Sequence, residues 1–446
     1  MSKEKKRFIK WIVYWLLVLG FYITISLVFG NFIMYTPVLA FAMANFVIRL
    51  VADLSFGKIR HKVLSKVLRH GVNVLSLVIL VSVSTSIIQN GSNYNIAYIE
   101  SLDYPPFLAF PPHSSVTYNS ENGVYTVRME NEELKILQLT DIHLCGSITT
   151  IGTDRKAIDA CYTLIKEVRP DLIILTGDVV FPIPYQTFSK NNLRPIVQLC
   201  IFMNRVGIPW VLVYGNHDTE VVATYDVQSF EGMYRFFLRE EESPMLYAEK
   251  QPEVYGRYNQ YLRIENSDGS LNRLIFLVDS NAYVKDSTEV NEYDSVHEDQ
   301  LEWYAETIDE VSAEEGETVK SFVFMHIPFQ EFADAKAARD AGDEDAVYLF
   351  GENGEAVSHP NHNNGFFDVI LEKGSTEAVF VGHDHINNMG IKYKGVDLVY
   401  SKSIDYIAYP GIAHRTEQQD SIQIYRLRCI LTKAKRGFVH KIKLIT

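Results

Sequence analysis

The sequence predicts an α/β domain preceded by an N-terminal transmembrane helical region. Three observations lead there. Charge is divided unevenly: residues 1–90 hold 11 basic and 2 acidic side chains, a balance of +9, whereas the other 356 residues carry −22 within an overall −13. Long uncharged apolar runs are confined to the basic segment. From residue 124 onward, apolar runs of strand length alternate with helix candidates.

The basic start MSKEKKRFIK is followed by no charged side chain from Trp11 to Ile48. A helix of about 19 residues spans ~28 Å, close to one hydrocarbon core, so this run makes two crossings. They are 11–29 and 32–50, joined at Gly30-Asn31. Trp11, Tyr14 and Trp15 suit an aromatic belt, and Arg49 is placed to snorkel. A loop carrying Lys58, Arg60, Lys62, Lys66 and Arg69 precedes a third uncharged run, 72–88, which is short for a span and also fits a buried or interfacial helix. If 72–88 crosses the lipid bilayer, the positive-inside rule makes the chain a multi-pass cell-membrane protein with an extracellular main domain. Ala40-Phe41-Ala42 has the form of a signal-peptide cleavage site, but the apolar stretch before it is too long for one.

Residues 91–123, with Pro105-Pro106, Pro111-Pro112 and many Ser and Asn, are expected to be a linker, leaving 124–446 as the main domain. At 47% hydrophobic and 22% charged, the chain is neither disordered nor fibrous. Four cysteines exclude a disulfide scaffold, and the acidic bulk argues against a nucleic-acid-binding surface.

Within the main domain the expected strands are Val124–Met129, Leu134–Thr140, Leu172–Thr176, Trp210–Tyr214, Leu274–Val278, Lys320–Met325, Ala378–Val381 and Ser421–Tyr425. The expected helices are Asp154–Val168, Asn192–Val206, Val227–Leu238 and Ser295–Val311, with a surface helix in Glu331–Asp345. Runs such as LIIL and FVFM are apolar on both faces, as in strands covered on both sides.

Five segments place metal-binding residue types just after strand candidates: Asp141-Ile142-His143, Gly177-Asp178, Gly215-Asn216-His217-Asp218, His326 and Gly382-His383-Asp384-His385. Strand ends are where side chains escape the pleat and converge on one crevice. The two-residue spacing in Asp141/His143 and His383/His385 puts each pair on one side of an extended chain, and the glycines permit turns. Two carboxylates, one amide oxygen and four imidazoles are too many donors for one catalytic cation and suit two sharing a carboxylate. Oxygen with imidazole nitrogen, and no neighbouring Cys pair, favours Mn, Fe or Zn. Weaker candidates are the polar loop Ser358–Asn364, the late loop with Tyr406, Tyr409, His414 and Arg415, and Cys145 beside the first segment.

In order, TDIHL, TGDVV, YGNHD, VFMHIP and VGHDH resemble the calcineurin-like metallophosphoesterase superfamily over roughly residues 134–426, and VGHDHINNM is similar to its purple-acid-phosphatase-like branch. Phe181 stands where purple enzymes carry a tyrosine ligand, so the resemblance implies a site without iron–tyrosinate. It implies a two-sheet β-sandwich flanked by helices. It also implies Asp141, His143 and His385 on one metal, Asn216, His326 and His383 on a second, and Asp178 bridging. His217 would not bind metal but would protonate the leaving alcohol or stabilise the charge on the phosphoryl group, with Asp218 orienting its ring.

The expected activity is hydrolysis of phosphate esters by a hydroxide bridging two divalent metals ~3.5–4 Å apart. Two alternatives remain. One is a phosphodiesterase acting on a lipid, cell-wall or nucleotide substrate. The other is a non-catalytic membrane receptor or scaffold that keeps the fold.

Overall fold

Apolar runs covered on both faces form the centre of two β-sheets. The computed structural model describes residues 59–93, 113–131, 133–147, 150–187, 190–238, 243–285, 287, 292–408, 426–434 and 437–445, with scattered positions between 9 and 56. The strands are β1 (Ser114–Asn119), β2 (Val124–Met129), β3 (Glu133–Leu139), β4 (Leu172–Thr176), β5 (Trp210–Val213), β6 (Gln260–Glu265) and β7 (Leu271–Leu277). They continue with β8 (Ser321–Phe324), β9 (Ala346–Phe350), β10 (Thr376–Val381), β11 (Gly390–Tyr393), β12 (Val396–Tyr400), β13 (Arg426–Ala434) and β14 (Gly437–Ile445).

The larger sheet has the order β1-β2-β6-β7-β8-β10-β12-β11-β9, and the smaller β14-β13-β3-β4-β5. Strands β3, β4 and β5 run parallel, as do β7, β8, β10 and β12. Parallel neighbours need crossover connections, and helices supply them. Ile151–Val168 lies between β3 and β4, Leu193–Val206 between β4 and β5, and Glu298–Glu315 between β7 and β8. The first buries Asp154, Ala157, Ile158, Cys161, Leu164, Ile165 and Val168, a spacing of three and four that presents one face to the core. Each strand therefore ends at one edge and the chain leaves it before entering a helix, which stacks the five metal-binding segments at the same edge.

Gln138 of β3 links the sheets. Its buried side-chain amide donates to the Thr176 hydroxyl on β4 at 2.8 Å and to the Val381 carbonyl on β10 at 3.1 Å. The bond to β10 crosses from the smaller sheet to the larger, so the two strand ends that carry Asp178 and His383 are held in fixed register.

Several expectations are corrected. Part of the linker, Ser114–Asn119, is a strand that pairs antiparallel with Val124–Met129. It is an edge strand whose burial alternates, so its polar Ser, Thr and Asn residues disguise it. The helix expected at Ser295–Val311 is shifted to Glu298–Glu315, ending at Gly316. The surface helix stops at Ala341, before the left-handed Gly342. The expected strand Ser421–Tyr425 lies outside the described residues, and β13 begins at Arg426.

The chain divides into two units, Met1–Ser101 with Ser147–Thr149, and Leu102–Gly146 with Thr150–Thr446. Among the described residues the first unit holds the helix Lys62–Asn93, which contains the expected segment 72–88. The expected spans 11–29 and 32–50 lie largely outside the described residues. Among the described residues no helix is long and apolar enough to cross a membrane.

Because Gln138 joins three strands from a fully buried position, Gln138→Ala is expected to cost about 2–3 kcal/mol, from a cavity and the lost bonds to Thr176 and Val381, whose carbonyl keeps the Ser401 amide. Urea denaturation of wild type and variant measures it. A loss below about 0.5 kcal/mol would contradict the role given to this residue.

Candidate metal centre

The five strand-end segments meet. Strand β3 delivers Asp141 and His143, β4 delivers Asp178, β5 delivers Asn216, β8 delivers His326, and β10 delivers His383 and His385. Four of these residues adopt left-handed backbone: Asp141 (φ 51°), His143 (φ 53°), Asp178 (φ 51°) and His383 (φ 72°). The ligand pairs are thus aimed by tight turns and not by an extended chain of period two, which corrects the expectation. Non-glycine residues in this region cost of order 1 kcal/mol or more each and persist where neighbours fix them. Here the neighbours are explicit. The amides of Asp141 and His143 donate to the Gly177 and Asp178 carbonyls, and the Gly382 amide donates to the His326 carbonyl. Asp154 adds a clamp from the first helix by accepting from the Cys145 and Gly146 amides at 3.2 and 2.8 Å.

Glycine is required at two places by closeness, not by a turn. A Cβ at Gly215 would overlap the Asp178 carboxylate, and one at Gly382 would overlap the Thr140 hydroxyl and crowd Asp141. Both allow the backbone to lie directly against the ligands.

The donor atoms form two groups that share one carboxylate. Asp141, His143, Asp178 and His385 make one, and Asp178, His326 and His383 make the other, with the atoms of each group within 4.8 Å of one another. Asp178 Oδ2 lies 3.3 Å from His143 Nε2 and 3.2 Å from His326 Nε2. His385 Nε2 is 3.6 Å from Asp141 Oδ1.

Five of the ligands are oriented by their other ends. His326 Nδ1 donates to the Thr176 carbonyl at 2.7 Å, which turns Nε2 toward Asp178. Asn216 Nδ2 donates to the Tyr283 hydroxyl at 2.8 Å, which turns Oδ1 away from Tyr283. Asp141 Oδ2 accepts from Thr140 Oγ1 and the His383 amide, while Oδ1 is left over. The Nδ1 atoms of His143 and His385 both face Asp405, at 3.5 and 3.6 Å. As a result Asp141 Oδ1, Asn216 Oδ1 and His326 Nε2 are buried without a hydrogen-bond partner. Orphaned buried atoms of this kind are costly, and a pair of divalent cations satisfies all three. The residues fit the metals that the donor set implies.

Charge tells the same story. Burial would lower the His143 pKa, but hydrogen bonds to Asp178 and Asp405 raise it to about 10. Burial likewise works against protonated His326, but the charge of Asp178 raises it to about 9. Burial and the charge of His326 push His383 well down. Burial alone would raise the Asp178 carboxyl, yet the charges of His326 and His217 hold it well below the usual range. In the metal-free protein, then, protons on His143 and His326 balance part of the carboxylate charge.

His217 stands on the cleft wall, with its amide donating to Asp178 Oδ1 at 2.8 Å. Asp218 does not orient its ring. The Asp218 carboxylate is buried and accepts from the amides of Asp178, Val180 and Gly215 at 2.9, 3.0 and 2.8 Å, tying two ligand loops together. Burial, and next the charge of Asp178, push its pKa up to about 7. The ring instead pairs through Nδ1 with Glu220 Oε1 at 2.7 Å. Glu220, Tyr283 and Asp405 are missing from the expected set. Glu220 was legible as the acid three residues past His217, whereas Tyr283 and Asp405 carry no local signal.

Phe181 stacks on His143 with centroids 4.8 Å apart, filling the position of the tyrosine ligand with an apolar ring. Cys145 is buried against Phe181 and Ile183, and its thiol donates to the His143 carbonyl. From the Ser358–Asn364 loop, Ser358 lines the cleft, while His362, Asn363 and Asn364 line a separate cavity beside Pro328 and Phe366. Tyr406 lies under the Lys156 ammonium, and Tyr409, His414 and Arg415 are outside the described residues.

A family model described as calcineurin-like phosphoesterase matches residues 134–387. The chain is 28% identical over 308 residues to "Probable inactive purple acid phosphatase 14" of Arabidopsis thaliana, covering 62% of this chain and 71% of that protein. It is 26% identical over 275 residues to "Phosphatase DCR2" of Saccharomyces cerevisiae, covering 57% and 44% respectively. A dimetal phosphatase from Danio rerio aligns at 11% identity with a TM-score of 0.41, covering 70% of this chain and 98% of that one.

Because His143 and His326 are raised in the metal-free protein, metal binding at pH 8 is expected to release roughly one to two protons per chain. Calorimetry of Mn²⁺ binding in buffers of different ionisation enthalpy reads this directly. The sign for stability follows. Raised histidine pKa values contribute stability that is complete below ~6.5 and is lost as pH rises through about 9–10, so the metal-free chain should weaken across that interval. Proton-neutral binding would contradict the assignment.

Proposed function

For a chain that belongs to the calcineurin-like phosphoesterase family and is a phosphoesterase by that membership, we propose a dinuclear metal site that hydrolyses phosphate esters. The observation that carries the reading is Asp178, whose carboxylate belongs to both ligand groups. Asp141, His143 and His385 would hold one divalent ion, and Asn216, His326 and His383 the other, with Asp178 between them. Oxygen and imidazole donors suit Mn, Fe or Zn. When bound, such a pair supplies Lewis-acid charge for the phosphoryl oxygens and lowers the pKa of water.

The chain's own residues do the rest. The cleft over the site is walled by Phe181, Ile183, Val222, Tyr283 and Tyr293, which restrict water around the reacting group. His217, on the same wall, is placed to give a proton to the departing oxygen. Asp178, Glu220 and Asp384 also line the cleft, and no Lys or Arg does so among the described residues. An anionic ester would then be attracted chiefly by the metals, which are the largest local charges. A diesterase acting on a lipid, cell-wall or nucleotide substrate uses the same groups. The non-catalytic reading is favoured by the word "inactive" in the names of three relatives, and opposed by the presence in this chain of every ligand residue the reading needs.

We further propose that residues 1–90 anchor the protein in the cell membrane through three spans, with the phosphoesterase domain outside. Supporting this are the basic flanks of the uncharged runs and the exposure of Val74, Leu75, Val78 and Ile79 on helix Lys62–Asn93.

Asp178→Asn is expected to lower phosphate-ester turnover with Mn²⁺ by about 10³-fold or more, and His217→Ala by about 10²–10⁴-fold. Undiminished rates in both would sink the site assignment. For topology, protease added to intact cells should remove the main domain, and resistance until lysis would place it inside.

A further inference from the structure

We propose that Glu220 and Tyr283 form a positioning relay that fixes the ring of His217 and couples it to Asn216, fitting the site to esters whose leaving oxygen needs a proton. The inference rests on the phosphoesterase reading. It starts from the turn His217–Thr219, which brings position 220 back beside position 217. Glu220 Oε1 lies 2.7 Å from His217 Nδ1. The Tyr283 hydroxyl donates to the same oxygen at 3.3 Å and accepts from Asn216 Nδ2 at 2.8 Å. Donation runs one way, from the Asn216 amide to the tyrosine and from the tyrosine to the carboxylate. The orientation that frees Asn216 Oδ1 therefore also places the hydroxyl against Glu220.

The surroundings hold this arrangement still. The His217 ring meets Phe181 edge-on, with centroids 4.7 Å apart at 77°, and His143 at 5.4 Å and 82°. Tyr283 stacks on Tyr293, whose ring in turn meets His383 edge-on at 4.6 Å. The Glu220 side chain is only 13% exposed, so its pairing with His217 is sheltered from bulk water. With Nδ1 committed to Glu220, Nε2 is the ring atom available to the cleft.

The chemical consequence is specific. As an oxygen from water bonds to phosphorus and the bond from phosphorus to the leaving oxygen breaks, the leaving group takes that electron pair and a proton from His217 Nε2. The proton lost by the water passes to solvent, and the ring regains one from solvent after the alcohol departs. Glu220 stays ionised and balances the charge of the ring that gives the proton, as carboxylate–histidine pairs do in other acid–base sites. An alkyl alcohol needs that proton, whereas 4-nitrophenolate leaves without it.

The test uses the full chain loaded with Mn²⁺, matched alkyl and 4-nitrophenyl phosphate esters, and the variants Glu220→Gln and Tyr283→Phe. In Glu220→Gln, kcat for the alkyl ester should fall at least about 10-fold more than kcat for the aryl ester. Tyr283→Phe should shift the same ratio in the same direction by a smaller factor. Equal losses on both esters, or none, would overturn the relay. A second readout needs no turnover. Ring-nitrogen NMR of the ¹⁵N-histidine-labelled chain, with His217 identified by His217→Ala, should show the Nδ1–H form in wild type and its loss in Glu220→Ala. A wild-type ring protonated only on Nε2 overturns the relay. Failure of wild type to hydrolyse either ester overturns the phosphoesterase reading and the leaving-group role with it, and the ring spectrum still decides whether Glu220 positions His217.

Discussion

The carboxylate of Asp178 is the constraint on which the rest of the site depends. A fully buried negative charge is tolerated only if it is paired and hydrogen-bonded. Asp178 lies within 3.3 Å of imidazole nitrogens on β3 and β8 loops and accepts the His217 amide from the β5 loop. Four strands of two sheets are thereby registered on one functional group, counting its own. Gly215 is needed because nothing larger fits beside it, and Asp218 is buried because it ties the Asp178 and Gly215 amides together. Positive φ at Asp141, His143, Asp178 and His383 is the local backbone cost of that convergence.

The site was more legible in the sequence than the fold around it, for a physical reason. Ligands sit at the ends of largely buried strands that are apolar on both faces, and β4, β5 and β10 are followed directly by Gly177, Gly215 and Gly382, so β3, β4, β5, β8 and β10 announce themselves. The strands that went unread are less apolar or less central. β1 is an edge strand of Ser, Thr and Asn, and β9 buries only Ala346 of its five residues. Strands β11 and β12 form a short hairpin around Lys394-Gly395 with no helix between them to mark a boundary. At the site itself, long-range partners escaped. Asp405 meets His143 across 262 residues of chain, and Tyr283 meets Asn216 across 67, and no spacing rule reaches that far. Asp218 misled because adjacency in sequence was taken for adjacency of side chains. A tight turn sends residues 217 and 218 to opposite sides, and the ring finds its partner at 220.

The uneven charge of the chain has a counterpart in the cleft. The acidic balance of the main domain continues into the pocket, where Asp178, Glu220 and Asp384 line the walls. Such a pocket repels phosphate on its own. In the metal-free protein the raised histidines supply part of the missing positive charge, and metals would displace their protons and supply more. Substrate attraction and metal loading are then one property and not two.

The central claim is that Asp178 lies between two cations. A crystal of the Mn²⁺-loaded chain, with anomalous scattering collected at the metal edge, tests it most directly. The account predicts two peaks roughly 3.5–4 Å apart, one on each side of the Asp178 carboxylate. One peak, or two peaks that leave Asp178 outside their coordination, would contradict it.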